Sequence, residues 1–211
     1  MYQYGIKRIL DIMLSFIGII ILAIPMAIIA VLIKLDSPGP VFFRQKRVGL
    51  HKTYFQMIKF RTMSVSAPKD TPTHLLQNPG AYITRFQAFL RKSSLDELPQ
   101  LFCILRGDMS IIGPRPALWN QEDLLKERDL YGANDVKPGL TGWAQINGRD
   151  ELPISVKAEY DGEYVQKLSF LFDCKCFFGT IKKVLKHEGV VEGGTGALPH
   201  TPEKEKEYAP K

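Results

Sequence analysis

The sequence predicts a mixed α/β chain, mainly helical, fixed to a membrane through its N-terminal segment. Three observations carry that reading: an uncharged apolar block over residues 12–33, two β-branched and aromatic runs behind it, and later segments with apolar residues at helical spacing. Of the 211 residues 45% are hydrophobic and 24% charged, a globular balance that excludes wholesale disorder. The three cysteines, Cys103, Cys174 and Cys176, are too few for a disulfide scaffold, and four scattered histidines argue against a structural zinc site. A net charge of +6 alone would admit a nucleic-acid partner, but the apolar block argues against one.

As a helix the apolar block is about 33 Å long, enough to cross a hydrocarbon core of about 30 Å. It exceeds the apolar core of a secretory signal and no small-residue cleavage site closes it. Pro25 stands near its middle, where the missing N–H and the ring should break or kink the helix and push Ile24 away from helical geometry. Both flanks are basic: Lys7 and Arg8 before, Lys34, Arg44, Lys46 and Arg47 after. A single crossing would carry its positive charge on one side. A helix–break–helix hairpin that leaves on the face it entered meets both observations; a proline-kinked spanning helix is the alternative.

The DSPGP run over 36–40 stops the helix. Residues 41–45 and 53–60 read as a small β-hairpin joined through Gly49. Prolines and a glycine make 66–80 a loop. Residues 82–92 predict a helix with Tyr82, Phe86, Phe89 and Leu90 on one face, and 118–130 a surface helix around Leu118, Leu124, Leu125 and Leu130. Val156, Tyr160, Tyr164 and Leu168 support another. In a last helix Phe170, Cys174, Phe177, Phe178, Ile181, Val184 and Leu185 form one stripe with lysines elsewhere. That stripe suits an anionic membrane surface or, equally, the core. From Gly193 onward the composition predicts a disordered tail.

Three segments combine charge with glycine or proline beyond what packing requires. They are KFRTM over 59–63; the run from Arg91 through Asp96 and Glu97 to GDMS (107–110) and GPRP (113–116); and the run over 137–149 ending in Arg149. If Ser94 caps a helix, Ser94 and Glu97 form a capping box, and Asp96 in the first turn is kept ionised by unpaired N–H groups. An ionised Asp can also attack phosphorus. Arg115, between two prolines, is a rigidly held guanidinium suited to phosphate, and Lys59, Arg61 and Arg149 can add charge. Nothing matches a Walker loop or a dinucleotide fingerprint.

Together LDSPGPVFFRQ (35–45), KFRTM (59–63), SLDELPQL (94–101), GDMS, GPRP, PGLTGWAQ (138–145) and NGR (147–149) resemble the bacterial sugar transferases, the small monotopic phosphoglycosyl transferases of the polyprenol-phosphate pathway. The resemblance covers residues 7–189. It implies transfer of a sugar 1-phosphate from a UDP-activated sugar, expected to be a HexNAc derivative, to undecaprenyl phosphate with release of UMP. It implies Asp96 as the nucleophile that holds a phosphosugar, with Glu97 assisting in metal binding or proton handling. Mg²⁺ would be the cofactor, associated with Asp96. Arg115 matches the phosphate-binding arginine and Lys59 a basic residue beside the site. The resemblance also implies a monotopic protein whose N-terminal helix is re-entrant and broken at Pro25, on the cytoplasmic face of the bacterial plasma membrane. The expected division is a membrane hairpin over 1–35, a catalytic domain over 36–190 and a flexible tail over 191–211. Pathway glycosyltransferases or a second copy of the chain are admissible partners. A membrane-bound hydrolase of nucleotide-sugars or lipid pyrophosphates, and a non-catalytic adaptor whose Asp96 and Glu97 only cap a helix, are the competing readings.

Overall fold

A computed structural model describes residues 2–68, 79–148 and 152–186. The chain is mixed α/β and mainly helical, with two two-stranded sheets. The apolar block forms α1 (Lys7–Asp36). Here the expectation of two helices separated by a break is corrected: Pro25 lies inside one continuous helix, and Ile24 stays within it. A proline removes a single donor, and the residues on either side of it, Leu22 and Met26, both pack on the folded body, so helical geometry carries through it.

Contact with that body runs the length of α1. At the start, Lys7 pairs with Asp173 at 2.6 Å, Arg8 donates to the carbonyls of Ile104 and Leu105, and Asp11 accepts from Ser110 Oγ and the Ile111 N–H. At the end, Asp36 accepts from Thr84, and Ser37 receives bonds from Arg61 and Gln87. Between them Met26, Ile29 and Ile33 share a core with Phe60 and Leu90, while Ile19 and Leu22 pack on a second core around Met57, Leu101 and Ile104. Only 17% of the most apolar stretch is buried, so α1 is no core helix. Phe16, Ile17, Ile20, Ile21, Ile24, Ile28 and Val31 point outward, Ile24 being 74% exposed. A helix whose two polar ends bind one body keeps those ends with that body, which is the monotopic arrangement.

β1 (Phe42–Val48) and β2 (Tyr54–Phe60) form the expected antiparallel hairpin, with Phe42 opposite Phe60 and Phe43 opposite Lys59. Of the loop expected over 66–80, residues 69–78 lie outside the described ones. α2 (Arg85–Lys92) starts at a capping box between Thr84 and Gln87. Leu90 is buried and Phe86 packs inward, but Phe89 is 56% exposed; the inward position goes to Gln87, which bonds Ser37. α3 (Gln100–Arg106) begins after Pro99, where a missing N–H costs nothing.

β3 (Ser110–Ile112) and β4 (Gly139–Thr141) pair in parallel. α4 (Glu122–Asp129), α5 (Trp143–Ile146) and α6 (Ile154–Gln166) follow the predicted order, with Leu130 left exposed beyond α4. On α7 (Phe170–Lys186) the inward side chains are Phe172, Asp173 and Cys176. Phe170, Leu171, Phe177, Phe178 and Ile181 face outward, Leu171 at 79% and Phe178 at 67%. The stripe therefore does not pack as core; its exposure fits a membrane surface. The expected tail lies outside the described residues.

Because α1 returns both ends to one body, cysteines placed at Ile6 and at Lys52 should react with an impermeant thiol reagent from the same side of sealed vesicles. Opposite-side labelling would contradict the monotopic arrangement.

Candidate active site

Asp96 and Glu97 lie in a short 3₁₀ turn, Leu95–Glu97, wedged between α2 and α3. The capping box expected at Ser94 is absent. Ser94 sits in the left-handed region at φ 57° and its side chain caps nothing, because the chain must reverse tightly after α2. The Glu97 carboxylate turns instead to two cations: one oxygen accepts from Lys59 Nζ at 3.2 Å and from Arg115 Nη2 at 3.1 Å. The two acids do fall in one short turn, but Glu97 faces Lys59 and Arg115 rather than the Ser94 backbone.

Asp96 is 7% exposed. Burial pushes its carboxyl above the ordinary range; Lys59 opposes this, Glu97 adds to it, and Arg91 and Arg115 oppose it. Backbone N–H groups of the turn, expected to keep it ionised, are not among the influences on it; the flanking cations oppose the burial-driven rise without cancelling it. Burial likewise lowers Lys59, with Glu97 pulling it back up. Arg91, at the end of α2, opens the charged run singled out in the sequence but is given no site role there; the Ser93–Ser94 reversal that brings its charge to bear on Asp96 has no sequence signature beyond a pair of serines.

Arg115 is fixed from behind. Buried Arg128 of α4 donates to the Arg115 carbonyl at 3.0 Å while pairing with buried Asp161 of α6 at 2.6 Å. The glycines of GPRP and PGLTG seat this turn by backbone contact: a Cβ on Gly113 would overlap the Lys137 carbonyl, and one on Gly142 the Gly113 carbonyl. Their close approach is to each other.

Arg61 is not brought to the acids. It is 3% exposed and clasps the end of α1, donating to the Pro40 carbonyl at 2.6 Å, Ser37 Oγ at 2.9 Å and the Ser37 carbonyl at 2.8 Å. Arg149 lies outside the described residues. Among the described residues no three His, Cys, Asp or Glu side chains come together as a metal site. Mg²⁺ commonly takes only one or two carboxylates plus phosphate oxygens, and the adjacent Asp96 and Glu97 have the donor chemistry for that. A cleft of about 210 Å³ opens beside Glu97 and Arg115 and runs along apolar Leu98, Ile111, Leu140, Phe177 and Ile181.

Residues 2–187 match the bacterial sugar transferase family. The chain belongs to that family. It is 38% identical over 185 residues to EpsL of Bacillus subtilis (strain 168), an uncharacterized sugar transferase, covering 88% of this chain and 90% of that protein. It is 43% identical over 186 residues to the UDP-glucose:undecaprenyl-phosphate glucose-1-phosphate transferase of Xanthomonas campestris pv. campestris, covering 85% of this chain and 38% of that one. An N-acetylgalactosaminephosphotransferase of Aeromonas hydrophila, which acts on UDP-N-acetylgalactosamine and undecaprenyl phosphate by its name, is 38% identical over 185 residues, with 85% and 44% covered. The chain thus spans nine-tenths of EpsL but under half of the two transferases named for their substrates.

Two outcomes follow for this sugar transferase. Asp161→Ala leaves Arg128 buried and unpaired and should cost about 3–5 kcal/mol of stability in denaturant titrations. Lys59→Met removes the largest influence opposing the burial-driven rise at Asp96. The Asp96 carboxyl then titrates higher still, and the acid limb of any activity that needs it ionised moves to higher pH in a pH–rate profile.

Proposed function

We propose that this chain transfers a sugar 1-phosphate from a UDP-activated sugar to undecaprenyl phosphate through a phosphosugar intermediate on Asp96, at the cytoplasmic face of the bacterial plasma membrane. The observation that carries the reading is the buried Asp96, flanked by Lys59, Arg91 and Arg115, in a protein with an outward apolar helix face. The named activities of the Xanthomonas and Aeromonas relatives support the substrate classes. A HexNAc derivative remains the proposed sugar.

In the first half-reaction an Asp96 carboxylate oxygen attacks the phosphorus attached to the sugar. A new P–O bond forms, the bond to the bridging oxygen breaks, and UMP leaves with that electron pair. In the second, a phosphate oxygen of undecaprenyl phosphate attacks the same phosphorus and the Asp96 carboxylate departs. Lys59 and Arg115, held apart at fixed positions by the Glu97 oxygen between them, face charge developing on the phosphoryl oxygens. Splitting the transfer removes the need for two polyanions to meet directly. Mg²⁺ is the proposed cofactor: bound by Asp96 and Glu97 with the donor's phosphates, it would supply further charge neutralisation. The apolar outward faces of α1 and α7 suit a lipid surface, which holds the site near the acceptor's head group.

Incubation with sugar-labelled UDP-sugar alone should leave label on the protein, and added undecaprenyl phosphate should discharge it into lipid. Asp96→Asn should abolish both labelling and transfer without loss of stability at neutral pH. The raised Asp96 carboxyl makes the wild type gain stability as pH falls through that value, a gain the neutral Asn lacks. A helix-capping role predicts instead a loss of about 0.5–2 kcal/mol with function retained. Free sugar phosphate formed without lipid would favour a hydrolase.

A further inference from the structure

Gln145 of α5 lines the cleft beside Glu97 and Arg115, among Leu98, Ile111, Leu140 and Ile146. Both its amide oxygen and its amide nitrogen are shut off from solvent, and neither meets a hydrogen-bond partner among the described residues. Buried polar groups are nearly always paired, and leaving one bare costs about 1–3 kcal/mol. A methionine would occupy similar space without that cost. An unsatisfied amide in the wall of a cleft that reaches Glu97, next in sequence to Asp96, and Arg115 is explained if a ligand satisfies it.

We propose that Gln145 is a binding residue for the nucleotide-sugar donor, turning its amide into the cleft to meet a ligand group that carries a hydrogen-bond donor next to an acceptor. The inference rests on the donor reading given above. The cleft, at about 210 Å³, lies below the range of about 300–1,000 Å³ that encloses a drug-sized ligand, so it accepts one ring rather than the whole donor. Vicinal hydroxyls or an acetamido group on the transferred sugar present the required pair, and so does the imide edge of uracil. The apolar walls complement the C–H face of a sugar ring, and the sugar is bonded to the phosphorus that Asp96 attacks.

The test compares the full chain with Gln145→Met and Gln145→Glu in detergent, by thermal unfolding with and without UDP-sugar and by the kinetics of UMP release. Without donor, Gln145→Met should unfold at the same temperature as the parent or higher, since an unpaired amide has gone. Its KM for UDP-sugar should rise about tenfold, the loss of one or two neutral hydrogen bonds. Its KM for undecaprenyl phosphate should be unchanged, and the thermal shift produced by UDP-sugar should shrink. Gln145→Glu, which keeps an acceptor and loses the donor, should also raise the KM for UDP-sugar. Inhibition by UMP then assigns the contact: unchanged inhibition places the amide on the sugar, and inhibition weakened by the same factor places it on uracil. A destabilised Gln145→Met with an unchanged KM for UDP-sugar and an undiminished thermal shift would overturn the proposal and make the residue a packing group. Failure of the parent chain to release UMP from any UDP-sugar would refute the transfer reaction instead, while the thermal shift still reports whether Gln145 meets the donor.

Discussion

Two neighbouring carboxylates, Asp96 and Glu97, are held out of water at the centre of this chain, and like charges buried side by side are tolerated only with cations close at hand. The cations come from separate elements: Lys59 from β2, Arg115 from the turn after β3, and Arg91 from the end of α2. Neutralising the acids therefore draws the hairpin, the GPRP turn and α2 around one point. The partnership is uneven. Glu97 takes both ion pairs through a single oxygen, whereas the Asp96 carboxylate makes no hydrogen bond or ion pair among the described residues and feels its cations only through their field. A carboxylate stabilised by charge but not tied down by hydrogen bonds retains its lone pairs for attack. That division suits a nucleophile beside a positioning acid.

The membrane helix is joined to this centre by polar contacts rather than by grease alone. Lys7 and Tyr2 both bond Asp173 of α7, and the other Asp173 oxygen accepts from Tyr164, whose hydroxyl also lies 3.1 Å from the carbonyl of Ile112. Ile112 immediately precedes Gly113, where the GPRP turn begins. At the other end, Arg61 and Gln87 bind Ser37 as the chain leaves α1. The apolar surface of α1 is thus free to meet lipid while both ends register the helix against the domain. α7 shares the arrangement, with Asp173 and Cys176 inward and Leu171 and Phe178 outward.

Local signals in the sequence were read well because they depend on local physics. The apolar block, the hairpin of β-branched and aromatic residues, and the helices at 3.6-residue spacing appear near their expected places. That the acids and Arg115 come together is legible as far as charges set among prolines and glycines stand out in the sequence. What failed depended on partners remote in sequence. Pro25 is expected to break or kink α1; helical geometry continues through it, with Leu22 and Met26 packed on residues far along the chain. Arg61 looked like a phosphate ligand by composition, but its partners, Ser37 and Pro40, are decided by how α1 ends. Ser94 and Glu97 fit a capping box by spacing, and that spacing carries no information about Lys59 and Arg115 waiting across the fold. The amide of Gln145 is likewise invisible as an orphan until its surroundings are known.

The placement of Arg115 shows why so many non-reacting residues surround so few reacting ones. β3 and β4 are three residues each, too short to hold a turn by their own ladder. At Gly113, Gly139 and Gly142 a Cβ would overlap the facing backbone, so these glycines let the two motifs close on each other and bond through Gly113 N–H to Thr141 and Gly139 N–H to Pro114. Arg128 then fixes the Arg115 carbonyl, and its own buried charge is tolerable only because Asp161 shares that burial. A guanidinium set in this way is preorganised, and under the proposed transfer it would need no reorganisation as negative charge shifts on a phosphoryl group, the kind of stabilisation that lowers a barrier. The glycines and the remote Arg128–Asp161 pair thus fix the position of Arg115, and under the proposed transfer they would serve the chemistry through it.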